Sequence, residues 1–189
     1  LKDMVIDAFL LGGGGGRSYV LCGGGGAGYT TTVRSVVVAA NTAYQITIGA
    51  AGINPTKAGT DGVDGGTTSA FAASALGGKG SLAGSSSARK PGADGGSGGG
   101  GVNISGVHVN SSTAAGGTDG EDGATATTAG GTGQGTTTRE FGETDGDLYA
   151  SGGGDNLTAT VPNSGNGGAY NVEPADGIVV IRQHKEVAA

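Results

Sequence analysis

Glycine returns at every third position in several separate stretches of this 189-residue chain, and proline is nearly absent from them. The clearest runs are Gly59, Gly62 and Gly65, then Gly92, Gly95, Gly98 and Gly101, then Gly117, Gly120 and Gly123. Shorter echoes stand at Gly130/Gly133 and Gly165/Gly168. A period of three fits neither the α-helix nor the β-strand; it is the period of the polyproline II helix. In that helix every third residue faces the same side, so glycine there leaves a bare stripe that another backbone can approach closely. The polyproline II helix makes no internal hydrogen bonds. Its N–H and C=O groups, once buried, must bond sideways. The period therefore predicts a bundle of glycine-striped rods bonded laterally, each about 30 Å long for ten residues.

Composition narrows the alternatives. The chain holds 45 glycines, only four prolines and no tryptophan, so neither collagen nor an ordinary packed core suits it. Little apolar area is on hand to offset the chain entropy of so many glycines. Contacts between copies of the chain are expected to add stability. The net charge is −6 and no basic cluster occurs, which argues against a nucleic-acid partner. No apolar stretch reaches the roughly 18 residues of a membrane span, so no membrane insertion is expected. Cys22 has no second cysteine to pair with and reads as a small packed residue. Leu1 in place of Met is read as the sign of a removed leader or a longer parent chain.

The ends of the chain read as β-strands. Met4–Leu11 puts Met4, Ile6, Ala8 and Leu10 on one face at period two. The apolar run Ile178, Val179, Val180, Ile181 follows Gly177 and reads as a strand buried on both faces. Residues 29–38 are rich in β-branched types, residues 39–42 read as a turn, and residues 44–48 alternate. Together they predict an antiparallel hairpin. A shorter strand holding Phe71 is expected over residues 67–75. No segment has the apolar spacing of an amphipathic helix, so almost no α-helix is predicted.

Motifs with enzymatic meaning do not survive their context. The run 12–16 after a strand resembles a dinucleotide loop, but no helical pattern follows it. Gly95-Gly96-Ser97-Gly98-Gly99 fits a nucleophile elbow in letters only, since it lies inside a glycine stripe. His108 and His184 have no metal or triad spacing, and His184 reads as part of a solvated tail. Aspartates beside glycine, such as Asp61 and Asp64, read as turn residues. Residues 136–143 are the least repetitive part of the second half. They are expected to form a cap, with Arg139 paired to Glu140 or Glu143 and Phe141 as its anchor; a ligand-contacting loop is the alternative. No catalytic, cofactor or metal residue is predicted.

The order of the pieces is itself informative. A strand runs into 12–16; residues 23–32 follow, then residues 46–52 (Ile-Thr-Ile-Gly-Ala-Ala-Gly); then come residues 65–69, residues 133–143 and the terminal residues 177–182. This order resembles the glycine-rich domain of bacteriophage and prophage tail fibres. The resemblance implies a surface-exposed, non-enzymatic fibre or adhesin module. The sequence thus predicts one glycine-rich domain over 1–189, all-β plus polyproline II. Its β part is expected over 1–50 and 177–187, with 51–176 mainly rods and loops. The expected function is that of a structural subunit of an extracellular filament that assembles with copies of itself. Val5, Ile6, Phe9, Leu10, Ile178, Val179, Val180 and Ile181 are expected at the contacts between copies. The alternative is a receptor-binding module, with a cell-surface receptor met by loops 102–112 and 136–143.

Overall fold

The computed structural model describes residues 2–19, 21–85, 90–101, 103–104, 107–108, 129–132, 136–154 and 157–184. The stripe Gly117, Gly120, Gly123 and most of loop 102–112 lie outside the described residues. The regular structure is antiparallel β. Its strands are β1 (Met4–Leu11), β2 (Thr30–Val38), β3 (Thr68–Ala70), β4 (Ala73–Ala75), β5 (Asn103–Ile104), β6 (Val107–His108) and β7 (Ile178–Gln183). The only helix among the described residues is a single 3₁₀ turn, Glu140–Gly142.

The main sheet has the order β2-β1-β7, with both outer strands antiparallel to β1. Strand β1 has the bounds read from the sequence, and its period of two separates two apolar clusters. Ala8 and Leu10 meet Ala70 and Ala75 on one face. Phe9 and Leu11 meet Ala27, Phe141 and Ala150 on the other. Phe9, Leu10 and Leu11 are fully buried, each stabilising the fold by about 1.5–3 kcal/mol. Polar sequence on one face was therefore not needed: β1 is covered on both sides.

Three expectations are corrected by this sheet. Residues 44–48 form no hairpin with β2; Thr47 only bridges Ser69, and β2 pairs with β1 instead. Strand β7 is not buried on both faces: its first three residues are half-buried against the two clusters, and Ile181 and Gln183 are exposed. The expected strand over residues 67–75 is a hairpin, β3 and β4, that turns at Phe71 and Ala72. Both turn residues have positive φ, 50° and 60°, the twist a two-residue hairpin demands.

The glycine segments continue the sheet. Strand β1 runs directly into residues 12–16, residues 23–29 run into β2, and residues 175–177 run into β7. Segments 12–16 and 23–29 lie side by side and antiparallel, with Gly15 N bonded to Gly26 O and Gly12 N to Tyr29 O. The partner of each donor repeats every third residue. Gly13 and Gly16 donate to Gly66 and Val63, whereas Gly14 donates to Ala175. Gly24 and Ala27 donate to Gly100 and Ser97, Gly25 and Gly28 to Gly168 and Gly165. The carbonyls obey the same rule: Gly13 and Gly16 accept from Gly78 and Ser81.

Among the described residues, eight segments surround this inner pair: 49–54, 62–66, 76–81, 90–96, 97–101, 151–153, 165–168 and 175–177. Each is bonded to the next around the ring. The links are Val63 N to Ile53 O, Gly65 N to Gly78 O, Lys79 N to Asp94 O and Gly99 N to Ala93 O. The ring closes through Gly100 N to Gly153 O, Gly167 N to Ser151 O, Ala175 N to Asn166 O and Gly177 N to Gly49 O. The buried backbone is thus paired sideways. Residues 12–16 and 23–28, assigned from sequence to the β part, are the centre of the glycine lattice. The reason is steric: a Cβ on Gly14 would stand 1.9 Å from Asn166 O, and one on Gly24 1.9 Å from Gly153 O.

Candidate functional site

Two regions of this fold offer chemistry to the outside: the outer strands of the sheet, and the opposite end of the glycine lattice.

At the sheet, the central residue is Asp7. It is 3% exposed and sits where the register of β1 against β2 shifts. Its Oδ1 accepts the Ser35 N–H at 2.9 Å, and Ser35 has φ of 55°. Its Oδ2 accepts from Arg182 Nε at 3.0 Å, with Arg182 Nη2 at 2.9 Å and Arg34 Nη1 at 3.5 Å. His184 Nε2 lies 2.9 Å from Oδ1. Burial alone would raise the Asp7 carboxyl. The Ser35 N–H, Arg182 and His184 outweigh it and hold the group at about 2, below the usual 3.8. Arg182 also donates to Glu143 at 2.6 Å and stands 4.3 Å from the centre of the Phe141 ring. One carboxylate thereby ties both outer strands to the middle one.

The expected cap at residues 136–143 takes part in this cluster. Phe141 is buried under β1, and its carbonyl accepts from Arg34. Glu143 pairs with Arg182 at 2.6 Å, and Arg139 donates to Gly146 O at 2.6 Å. Tyr149 donates to Glu140 at 2.5 Å, and burial together with that carboxylate pushes its phenol upward. His184, read from sequence as a solvated tail residue, belongs to the cluster instead; its N–H extends the ladder to Val5 O at 2.9 Å. The sequence signal for this cluster is an aspartate inside the otherwise apolar run Met4–Leu11.

The residues expected at contacts between copies divide by depth. Ile6, Phe9 and Leu10 are buried in the chain's own core. Strand β1 has neighbours on both sides, so it has no edge to offer. Ile178 and Val180 pack against the Phe9 cluster, and Val179 against the Leu10 cluster. Val5 and Ile181 remain exposed, with Met4 and Val37 beside them. Met4, Ile6, Val38, Tyr44, Phe71 and Ile181 line an apolar groove of about 350 Å³.

The stripe glycines divide too. A Cβ at Gly62 or Gly65 would stand 2.1 or 2.0 Å from a carbonyl of the inner segment, and one at Gly92 2.0 Å from Gly99 O. Gly95 meets Ala27, and Gly98 O accepts from Gly131. Gly101 is buried. Gly59 stands apart: it is an exposed turn residue at φ of 77° with nothing within 4 Å of an added Cβ. Asp61 and Asp64 do more than turn the chain. Each accepts a backbone N–H from the neighbouring segment, of Ala83 at 2.7 Å and Gly80 at 2.8 Å.

At the far end of the lattice, segments 12–16, 49–54 and 165–168 run in the same direction and finish together. Arg17, Asn54 and Tyr170 leave them there and border an open cleft. The family model described as a glycine-rich domain covers residues 3–182, and the chain belongs to that family. No curated protein matches it. No helix among the described residues is long and apolar enough to cross a membrane.

Proposed function

We propose that this chain is a non-enzymatic structural module of an extracellular filament, joined to copies of itself. In this reading the glycine segments are polyproline II rods. The three-residue repeat of hydrogen-bond partners supports that reading, since three residues make one turn of such a rod. One observation carries the assembly: β2 and β7 are the outer strands of the sheet, and exposed Met4, Val5, Val37 and Ile181 lie on or beside them. An outer strand presents unpaired donors and acceptors to another chain. Pairing β7 of one copy with β2 of the next is a head-to-tail contact that does not close, and it builds a fibre.

Electron microscopy of the purified protein tests this. Filaments are expected at high concentration, and they are expected to vanish in an Ile181→Lys, Val37→Lys double variant. Discrete particles alone, at every concentration, would overturn the proposal. A second reading, a receptor-binding module of a phage tail fibre, is favoured by the open cleft at the lattice end away from the sheet.

A further inference from the structure

Tyr170 is 68% exposed, the most exposed of the large apolar side chains among the described residues. An aromatic ring so open is ordinarily mobile; this one is held. It occupies a two-residue turn closed by Ala169 N to Val172 O at 2.9 Å and Val172 N to Ala169 O at 3.2 Å. The second turn residue, Asn171, has φ of 58°, a region in which asparagine is among the favoured non-glycine residues. Asn54 fastens the turn to the lattice: its Nδ2 donates to Val172 O at 2.9 Å, and its Oδ1 accepts the Arg17 N–H at 2.6 Å.

Arg17 completes the mounting. Its guanidinium donates to the carbonyls of Ser18 and Cys22, both at 3.1 Å, and stands 5.6 Å from the centre of the Tyr170 ring. Its charge is thus spent on the chain itself and on the ring. Tyr19, 48% exposed, borders the same cleft. The cleft measures about 300 Å³ and is bordered also by Thr56 and Glu173. That volume is at the low end of ligand sites.

We infer that this cleft is a binding site for an uncharged saccharide, with Tyr170 and Tyr19 as stacking platforms. The chemistry selects this class. A pyranose ring has an apolar C–H face that covers an aromatic ring and a rim of hydroxyls that both donate and accept. The tyrosine hydroxyls, Thr56 and Asn171 offer donors and acceptors, and Glu173 accepts. A phosphate or a sialic acid meets the opposite: Arg17 is committed to carbonyls, Glu173 repels anions, and the chain carries a net charge of −6. A ring fixed before binding loses little freedom on binding, which is where rigid tyrosines gain their advantage. The site rests on one copy of the chain and does not depend on filament formation.

The test uses the full chain with cellotriose, maltotriose, chitotriose and, as the charged control, sialyllactose. Saturation-transfer NMR is expected to show contact with at least one neutral trisaccharide and none with sialyllactose. Tyr170→Ala and Tyr19→Ala are each expected to weaken that binding about tenfold. Their melting temperatures should match the parent, since both rings are exposed. Tyr170→Phe should keep most of the affinity. No contact with any neutral trisaccharide on a folded protein, or binding unchanged in both alanine variants, would overturn the inference. So would binding of a proline-rich peptide in the absence of saccharide binding.

Discussion

The sheet and the glycine lattice are built by the same chain segments, yet they tolerate change in opposite ways. In the sheet, β1 has a hydrogen-bonded neighbour on each side and two free faces, so Phe9 and Leu10 can point away from the ladder into apolar clusters. One residue later the chain enters the lattice, where Gly13, Gly14 and Gly15 each address different neighbours. There a segment is surrounded, and no direction is left for a side chain. Beyond its ladder the sheet is held by packed side chains, whereas the inner lattice segments are held by backbone bonds, with Asp61, Asp64 and Asn166 adding side-chain bonds on the outer ones. Mutations should therefore act through packing and charge in the first and through steric exclusion in the second.

The sharpest test of this contrast is Gly14→Ala. The added Cβ lands 1.9 Å from Asn166 O, a backbone atom held by its own hydrogen bond to Ala175. A loss of more than about 4 kcal/mol is expected, read as a collapse of soluble folded yield and of the thermal transition. A parent-like melting curve would show that the inner segment is not enclosed. In the sheet, Phe141→Ala removes the ring that packs on Phe9 and Leu11 and lies against Arg182. Chemical denaturation should show a cost of about 3–4 kcal/mol.

Asp7→Asn probes the charged cluster. It removes the buried carboxylate shared by Arg182 and Arg34, while Arg182 keeps Glu143; a cost of about 2 kcal/mol is expected. The acid limb gives a second readout. Folding lowers the Asp7 pKa from 3.8 to about 2. The stability it supplies is then fully present above about pH 4 and lost as pH falls toward 2. The parent's melting temperature should fall through that window, and the variant's curve should be flatter there. Gly59→Ala marks the small end of the lattice series. Space is open around it, so only its φ of 77° opposes a side chain; about 1 kcal/mol is expected. Leu82→Thr, at a side chain 55% exposed on an outer segment, should stay within about 0.5 kcal/mol.

The same contrast explains what could be read in advance. Outer segments alternate glycine with other residues because one side of each faces the solvent, as in Gly49-Ala50-Ala51-Gly52-Ile53, where Ala50 and Ile53 are exposed. That is the pattern the three-residue period captured. The inner segments are unbroken runs of glycine, 12–16 and 23–26, whose period is hidden because every position must be bare. From the sequence, 12–16 resembles a dinucleotide loop and both runs fall in the β part, although they are the centre. The cleft beside Tyr170 was not legible at all, since Arg17, Asn54 and Tyr170 are far apart in sequence.

The sequence by itself determined the local rules. Period two and β-branching placed β1, β2 and β7, the absence of helical spacing left almost no helix, and recurrent glycine required lateral bonding of the backbone. Only the tertiary structure decided who bonds to whom. A glycine segment has nearly the same surface as any other, so no side chain names its partner. The choice is made by the whole ring closing at once, with β1 fixed between β2 and β7 and Asp7 holding both. That closure also set which glycines tolerate no Cβ and brought Tyr19 and Tyr170 to one cleft.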